Sequence, residues 1–373
     1  MKMPVDDGNA DLLFRIPQSA LRIFQGENIM EPIRVGMVGV GGFAGYRRKT
    51  MHQTGLYKLV ACYDYIAETA KAVAAEEQCD VEASYDALLA RTDIEAVVVS
   101  TGATSHMEYC VRAAQAGKHF FVEKPLCCDA EELKTLLSAG EQAGVVMGMG
   151  HSFPDGPVNQ LIQDYIAQDK LGTVTAIEMT TAHGGGWCVS PWRFIPEKNP
   201  GGMLFQCGVH LIYWIEAMFG RVTDVSCMMR YDVNPGTQTS DATTTLLRLE
   251  NGLLATINAH HVTAYEHHKY IYGTKGNLYI HESPSEIDYQ ARSTEGKPEE
   301  KIRIDESSLP AGQNLALTNL ITWANAIRGE GTPAPSIYDG ASAVAVVFAA
   351  AEAARTGRTV QVPDVRARLA AKA

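Results

Sequence analysis

Short apolar runs alternate with segments of helical period over the first part of the chain. Strands are predicted, each as a nearly continuous apolar run, at residues 33–38, 58–63, 95–100, 120–122 and 145–149. Helices lie between them, and Asp129 is placed to cap a helix that ends at Gly144. Strands without polar alternation are buried on both faces, so the pattern predicts an α/β domain with a parallel sheet covered by helices.

The second part of the chain changes to strands that are joined by turns. Many of its apolar runs are β-branched, and they predict strands at residues 173–181, 222–232, 243–249, 253–262, 270–272 and 277–281. Turn pairs such as Asn251-Gly252 favour antiparallel neighbours. Long helices are expected at 202–219 and 339–355, and the polar segment 283–310 is expected to be an exposed excursion of the sheet.

These patterns divide the chain into two domains. Residues 32–150 are predicted to form the α/β domain, and 151–363 an α+β domain with a large, mostly antiparallel open sheet, followed by a tail at 364–373. Residues 1–31 show no clear period. They are either an N-terminal arm used in oligomer contacts or the product of a mis-assigned start, with Met30 as the true first residue.

Composition narrows the class of protein without naming a function. The chain has 373 residues, a hydrophobic fraction of 46% and a formal net charge of −11 at pH 7. This acidic balance argues against nucleic acid or an anionic membrane as the main partner. No run reaches the ~18 unbroken apolar residues of a membrane span. The start has no signal-peptide pattern, and the eight cysteines include no CxxC pair, so a cytoplasmic protein with reduced thiols is expected.

A glycine-rich loop follows the first predicted strand and opens a helix. Its cofactor-binding candidates are Gly39, Gly41, Gly42, Phe43 and Ala44. The pattern fits G-x-G-x-x-G/A, in which the first glycine permits a tight turn and the second lets the backbone approach a pyrophosphate. Asp64 ends the second strand, where a carboxylate accepts both ribose hydroxyls and repels a 2′-phosphate, so NAD is predicted rather than NADP. A glycine turn beside a capping aspartate is the alternative.

Lys124 follows the strand predicted at 120–122. Ligands of open parallel sheets sit beyond the carboxyl ends of the strands, so Lys124 is expected at the cleft. Its ammonium can stabilise an alkoxide as hydride leaves, and Glu123 is expected to pair with it and tune its pKa. Taken alone, these two residues are better explained by a surface ion pair at the end of the strand.

Three runs of sequence resemble those of the Gfo/Idh/MocA oxidoreductase family. They are TGATSH at 101–106, AGKH at 116–119 and EKP at 123–125. The resemblance extends over nearly all of 33–363. It implies a Rossmann domain with a doubly wound parallel sheet, an open-sheet domain that mediates dimers or tetramers, and hydride transfer on sugars and cyclic polyols.

The resemblance also implies roles for single residues. Those matching Thr101 and His106 line the cofactor in the family, and those matching Glu123 and Lys124 sit near the nicotinamide. Gly102 is assigned to the same cofactor loop. It departs from the family at a position where proline is common, with little expected consequence.

A second motif opens the helix predicted at 202–219. Gln206 and His210 are four residues apart and share one face, which by itself fits a satisfied core histidine. The segment resembles the family motif G-G-x-x-x-D-x-G-x-H-x-x-D, whose histidine acts with the lysine of the EKP run. His210 and Lys124 are therefore the catalytic candidates. Gln206 and Tyr213 stand where aspartates are frequent, and Gln206 is expected to orient a substrate hydroxyl through its amide.

Further substrate contacts are predicted around these two residues. Trp192 and Arg193 form a pair that often precedes the family motif, and Trp192 can stack on a sugar or on the nicotinamide. His183 begins a glycine-rich run that is either a pocket wall or a hairpin connection. His151 follows the strand at 145–149, at another strand carboxyl end.

No metal is expected. The adjacent pairs at 260–261 and 267–268 are all histidines, but neighbours on a strand point to opposite faces. The sequence offers no obvious carboxylate or cysteine to complete either set.

The chain is therefore predicted to be an NAD-dependent dehydrogenase or reductase. Its substrate is expected to be a secondary hydroxyl or keto carbon of a cyclic sugar, glycoside or polyol, with a 3-keto sugar among the candidate products. Two alternatives remain open. One is a glycosidase or lyase that oxidises its substrate transiently with no net NADH, and the other is a non-catalytic NAD- or sugar-responsive binding protein. A homo-oligomer, dimer or tetramer, is expected.

Overall fold

The computed structural model describes seven stretches of the chain. They are residues 31–151, 157–184, 191–234, 236–282, 285–293, 295–309 and 314–367. The arm or mis-assigned start predicted for 1–31 lies outside the described residues, except for its last residue, and so does most of the predicted tail.

The first sheet is parallel throughout its described strands. These are β1 (Ile33–Val38), β2 (Tyr57–Tyr63), β3 (Asp80–Val81), β4 (Ala96–Val99), β5 (His119–Val122) and β6 (Met147–Met149). Their order across the sheet is β3-β2-β1-β4-β5-β6. The chain reverses direction across the sheet between β1 and β4, and ligands of such folds bind beyond the carboxyl ends at that point. The predicted doubly wound Rossmann sheet is confirmed.

Helices cover this sheet on both faces. They are α1 (Ala44–Thr54), α2 (Ala67–Glu77), α3 (Tyr85–Ala90), α4 (Ala103–Gln115) and α5 (Ala130–Ala143). Asp129 caps α5 as predicted, because its side chain accepts a 2.8 Å hydrogen bond from the main-chain N–H of Glu132. Gly144 ends that helix in the left-handed conformation, with φ of 65°.

The second sheet is mostly antiparallel, as predicted. Its described strands are β7 (Val174–Ala182), β8 (Val222–Arg230), β9 (Ala242–Leu249), β10 (Leu254–His260), β11 (Glu266–Gly273), β12 (Gly276–Glu282), β13 (Ser285–Ala291), β14 (Ile302–Ile304) and β15 (Val360–Gln361). They lie in the order β14-β13-β12-β11-β7-β10-β9-β8-β15, and β7 and β10 run parallel. The polar segment 283–310 contributes β13 and β14, so it extends the edge of the sheet.

The remaining described helices occur in the second part of the chain. They are α6 (Pro157–Ala167), a short 3-10 turn (Pro191–Phe194), a π-helical turn (Leu204–Gly208) that runs into α7 (Val209–Phe219), a second 3-10 turn (Glu306–Ser308), α8 (Leu315–Ile327) and α9 (Ile337–Thr356). The helix predicted at 202–219 therefore begins as a π-helix. Helix α9 has the length and apolarity of a membrane span, but 72% of that window is buried inside the protein, as expected of a core helix.

Helix α8 returns from the second part of the sequence to the first sheet. Its Trp323 is fully buried, stacks on Tyr57 of β2 with ring centroids 5.4 Å apart, and lies 5.3 Å from the ring of Phe121 on β5. The core of the first sheet is thus completed by a residue that lies 202 positions after Phe121 and 266 after Tyr57. The sequence analysis did not predict this helix. The domain boundary after residue 150 stays a prediction.

Candidate active site

The glycine loop has the shape that a dinucleotide requires. Gly39 adopts φ of +74°, and a Cβ at this position would lie 2.6 Å from Cγ2 of Thr101, on the loop that follows β4. Gly42 also has positive φ, at +55°. Helix α1 begins directly afterwards at Ala44, which is fully buried, whereas the ring of Phe43 is 55% exposed. A side chain at Gly39 would fill the narrow turn, so the loop fits a bound pyrophosphate.

Asp64 is joined to this loop by its carboxylate. Oδ2 accepts a 2.9 Å hydrogen bond from the main-chain N–H of Val40, and Oδ1 accepts another of 2.9 Å from that of Ile66. Each carboxylate oxygen has two lone pairs, so both retain a site for a ribose hydroxyl. The carboxylate of Asp64 therefore ties the end of β2 to the glycine loop and places its negative charge next to that loop.

His106 is placed beneath the cleft rather than facing it. Its ring is only 1% exposed, and it lies between two carbonyl oxygens, with Nδ1 2.8 Å from that of Pro125 and Nε2 3.0 Å from that of Thr101. Burial lowers its pKa, partly offset by these carbonyls. His106 thus ties the loop after β4 to the loop after β5.

Glu123 does not pair with Lys124, and the sequence-based expectation was wrong. Its Oε1 accepts a 2.7 Å hydrogen bond from Nε of Arg47, on α1, in an ion pair that is almost wholly buried. A Cβ at Gly150 would lie 2.6 Å from the other carboxylate oxygen, so β6 also packs closely here. Arg47 captures the carboxylate because α1 lies directly over the carboxyl ends of the central strands. Glu123 still raises the pKa of Lys124, against a larger lowering by burial.

Lys124 reaches from the first sheet to the π-helical turn. Its Nζ donates a 3.3 Å hydrogen bond to the main-chain carbonyl of Gln206. One turn later, His210 lies edge-on to His151, with ring centroids 5.1 Å apart, and His151 stacks on Tyr213 at 4.5 Å. The structure therefore brings together both catalytic candidates and His151.

Burial and the neighbouring charges lower the pKa values of His210, His151 and Lys124, which favours their neutral forms. The pKa of His210 lies well below its usual value because of burial, with smaller contributions from Lys124 and His151. Burial lowers the pKa of His151 to about 3, again helped by Lys124. The pKa of Lys124 is also lowered, mainly by burial. Strongly perturbed titratable groups clustered in a cleft are typical of catalytic sites.

Gln206 is held by the protein through its amide. Its Oε1 accepts a 3.3 Å hydrogen bond from Nε of Arg193, and its Nε2 donates one of 2.9 Å to Oδ1 of Asn199. The guanidinium of Arg193 also lies 4.8 Å over the ring of Trp192. A Cβ at Gly102 would come within 3.8 Å of that indole, so Trp192 borders the cofactor loop.

His183 stands on another wall, within a chain of titratable side chains. Its Nε2 lies 3.9 Å from Sγ of Cys207 and 3.1 Å from Nε2 of His267. Nδ1 of His267 is in turn 3.8 Å from a carboxylate oxygen of Glu282. Burial lowers the pKa of His183 to about 4, assisted by the neighbouring histidines. The chain leads from the π-helical turn towards the sheet edge, where Glu282 is partly exposed.

Sequence reasoning missed several residues of this site. They are Arg47, Asn199, Cys207 and His267. Cys207 lies between two residues that the motif singled out, so its position was a usable signal. Arg47 and Asn199 carry no local pattern, and His267 was considered only as part of a histidine pair for a metal.

Two family matches cover most of the described chain. Residues 33–151 match the Gfo/Idh/MocA oxidoreductase family with its NAD-binding Rossmann fold, and residues 159–279 match the Gfo/Idh/MocA C-terminal domain. The chain belongs to the Gfo/Idh/MocA oxidoreductase family. It is an NAD-dependent oxidoreductase, and the predicted family and cofactor are confirmed.

The individual proteins that resemble this chain have low sequence identity to it. A 1,5-anhydro-D-fructose reductase of Ensifer adhaerens is 26% identical over 284 residues, which cover 75% of this chain and 83% of the relative. A 2,7-anhydro-N-acetylneuraminate hydratase of Escherichia coli (strain K12) is 27% identical over 259 residues, covering 66% and 67%. A levoglucosan dehydrogenase solved with NADH and levoglucosan shares the fold, with a TM-score of 0.75 at 20% identity, over 89% of this chain and 100% of that one.

Proposed function

We propose that this protein transfers hydride between NAD and a secondary hydroxyl or keto carbon of a cyclic sugar, glycoside or polyol. The observation that carries the proposal is the meeting of Lys124, from the loop after β5, with the helix that bears His210. Two groups with lowered pKa, one on the loop after β5 and one on α7, then lie beyond the carboxyl ends of the first sheet. The names of the relatives, which include reductases and dehydrogenases of sugars and anhydro sugars, support this substrate class.

Bound NAD supplies the hydride acceptor, and the protein handles the proton. His210 is neutral at physiological pH because its pKa lies well below 6.5, so it can accept the hydroxyl proton as the carbinol is oxidised. The Lys124 ammonium stabilises the developing alkoxide. A proton on His210 beside a charged Lys124 is unfavourable, so the two side chains titrate as a pair and pass the proton onwards.

The other predicted contacts then hold the substrate. Trp192 supplies an apolar face for a sugar ring next to Gly102, and Arg193 offers donors to ring hydroxyls. His151 orients the ring of His210 through their edge-on contact. His183 begins the chain to His267 by which a proton can leave the site. Gln206 acts through Arg193 and Lys124, because its amide and its carbonyl both bind protein groups.

The direct test is a panel of pyranosides, inositols, anhydro sugars and glycosides incubated with the protein and NAD, followed at 340 nm. Formation of NADH and an equal amount of ketone is expected for at least one member. The Lys124→Ala variant should bind NADH with little change and form it at least a hundredfold more slowly. NADH binding without turnover by either protein on any compound would favour the binding-protein alternative.

A second candidate is chemistry with no net change in the cofactor. It is favoured by the 27% identity to a protein named as a hydratase within the same group of relatives. In that case one panel member would be converted with catalytic NAD and no accumulation of NADH. Stoichiometric NADH excludes this candidate.

Location and assembly complete the proposal. We place the enzyme in the cytoplasm as a dimer or tetramer, which is supported by the family resemblance and by the broad second sheet. Light scattering coupled to gel filtration tests the assembly, and a monomer at micromolar concentration would contradict it.

A further inference from the structure

Three side chains with metal-binding atoms meet on one face of the second sheet. Glu266 and His268 are two residues apart on β11, so they project from the same face. His281 on β12 is paired directly opposite His268. Oε1 of Glu266 lies 3.0 Å from Nδ1 of His268 and 3.4 Å from Nδ1 of His281, and one potential ligand atom from each residue lies within 4.8 Å of the others.

These separations suit a small divalent ion. A tetrahedral Zn²⁺ bound at ~2.0–2.1 Å holds its ligand atoms about 3.4 Å apart. Both distances from the Glu266 oxygen are close to that value, so modest rotations of the side chains would complete the geometry. Two imidazoles with one carboxylate favour zinc and its transition-metal neighbours over magnesium or calcium, which prefer oxygen ligands.

The nitrogens on the far side of both imidazoles also face partners. Nε2 of His281 lies 2.9 Å from the hydroxyl of Tyr270, and Nε2 of His268 lies 3.8 Å from Oε1 of Glu178. Tyr272 donates a 3.2 Å hydrogen bond to the other oxygen of Glu178. Metal-bound histidines usually make such contacts, which fix the ring orientation and direct the other nitrogen to the metal. The residues that make these contacts, Tyr270 and Glu178, are not themselves among the three proposed ligands.

In a single chain the cluster is partly exposed and carries negative charge. The side chains of His268, His281 and Glu266 are 13%, 36% and 44% exposed, which leaves room for water as a fourth ligand. Glu178 adds a second carboxylate nearby.

We propose that Glu266, His268 and His281 bind one divalent transition-metal ion of the Zn²⁺ type and thereby join β11 to β12. The sequence argument against a metal started from pairs of adjacent histidines and found no carboxylate to complete either pair. Residues 267 and 268 do point to opposite faces, and His267 contacts His183 of the active site. The additional ligands come from a carboxylate two positions earlier and a histidine across the strand pair. The site lies on the sheet face opposite His267, so the proposal goes beyond the hydride transfer and does not depend on it.

The test is a titration of the untagged full-length protein with Zn²⁺ after treatment with a chelator, using a competing chromophoric chelator as the readout. The wild-type protein is expected to bind one equivalent at this site. Glu266→Gln and His281→Asn should each weaken that binding by more than tenfold. Tyr270→Phe keeps the three ligands and is expected to weaken it by roughly tenfold.

His52→Gln is the matched control, because His52 contacts a single carboxylate, that of Glu77, at 2.6 Å. It should bind Zn²⁺ as the wild type does. The proposal is overturned if the wild-type protein binds no Zn²⁺ at micromolar concentration. It is equally overturned if Glu266→Gln and Tyr270→Phe, shown by circular dichroism to be folded, bind with wild-type affinity, since cysteines would then hold the metal. Because the assay contains no substrate, its failure is separate from any failure of the proposed function.

Discussion

The ammonium of Lys124 donates a 3.3 Å hydrogen bond to the carbonyl of Gln206, and this contact joins the first sheet to the π-helical turn Leu204–Gly208. A π-turn shifts the main-chain pairing from four residues to five, and such turns occur frequently at functional sites. Here the turn lies one helical turn before His210. The contact therefore holds the lysine of one sheet next to the histidine carried by the other part of the chain.

Removing the ammonium should abolish most of the activity without unfolding the protein. Lys124→Ala is expected to lower kcat/KM by roughly 10²–10³, the usual loss when one group that stabilises a developing oxyanion is removed. NADH binding, measured by fluorescence, should change little, because the glycine loop and Asp64 are untouched. Lys134→Ala, at an exposed lysine of α5, is the control and should retain wild-type kinetics. A loss of less than tenfold in Lys124→Ala would remove the lysine from the mechanism.

The pH profile of oxidation should report the lowered pKa values of His210 and Lys124. Oxidation needs neutral His210, so the rate rises with pH through a pKa well below 6.5 and is already on its plateau at neutral pH. It needs charged Lys124, so the rate falls at high pH through a pKa below 10.5. Measuring kcat/KM between pH 4.5 and 10 checks both the rise at low pH and the fall at high pH. The rise at low pH should be absent in His210→Asn. An acidic limb at or above 6.5 would contradict the assignment of His210 as the base.

The first sheet was predictable because its strands are continuous apolar runs and because a glycine loop can be recognised from local sequence alone. Lys124 and His210 were singled out through motifs, and their catalytic role stays a prediction. The partner of Glu123 was not, because Arg47 lies 76 positions earlier and only the packing of α1 brings it near. The packing of Trp323 was missed for the same reason, because α8 packs against strands that lie far earlier in the chain.

Contacts between side chains on neighbouring strands could not be predicted from the sequence either. The pairing of His268 with His281 depends on the register of β11 and β12, which turns and bulges set. Periodicity gives the face on which a residue lies but not its neighbour on the next strand. The sequence therefore indicated which histidines share a strand and could not show that Glu266 completes a set with two of them.

The charge of Asp64 should decide between NAD and NADP. Asp64→Asn keeps one acceptor oxygen, enough for the N–H of Val40 in the glycine loop, and loses the bond to the N–H of Ile66 together with the charge that repels a 2′-phosphate. The ratio of kcat/KM for NAD to that for NADP is expected to fall by at least tenfold, about 1.4 kcal/mol. Asp86→Asn, at an exposed carboxylate on α3, is the control. An unchanged ratio in Asp64→Asn would show that another feature selects the cofactor.

Buried neutral His151 should make the protein less stable in acid. Its pKa is lowered to about 3, whereas in the unfolded chain it has the ordinary value, so unfolding takes up a proton below pH 6.5. Its contribution is fully present above pH 6.5 and is lost as the pH falls towards 3. One such group costs about 2 kcal/mol between pH 6.5 and pH 5.

Urea unfolding at several pH values measures this effect. His151→Gln should be less stable than the wild type at pH 7.5, yet lose less free energy of unfolding between pH 6.5 and 5. His52→Gln, at an exposed histidine, should show the wild-type slope. Equal slopes for His151→Gln and the wild type would mean that His151 is charged or solvated in the folded protein.

The most direct measurement is the fate of hydrogen at the reacting carbon. A pyranoside deuterated at its ring carbinol carbons, chosen from the compounds that react in the panel, is mixed with enzyme and NAD and quenched within one turnover. Mass spectrometry of the cofactor should then show one deuterium in the nicotinamide for the wild type, and almost none within the same time for Lys124→Ala or His210→Asn. Conversion of the sugar without deuterium in the cofactor, or equal transfer by the wild type and both variants, would contradict hydride transfer assisted by Lys124 and His210.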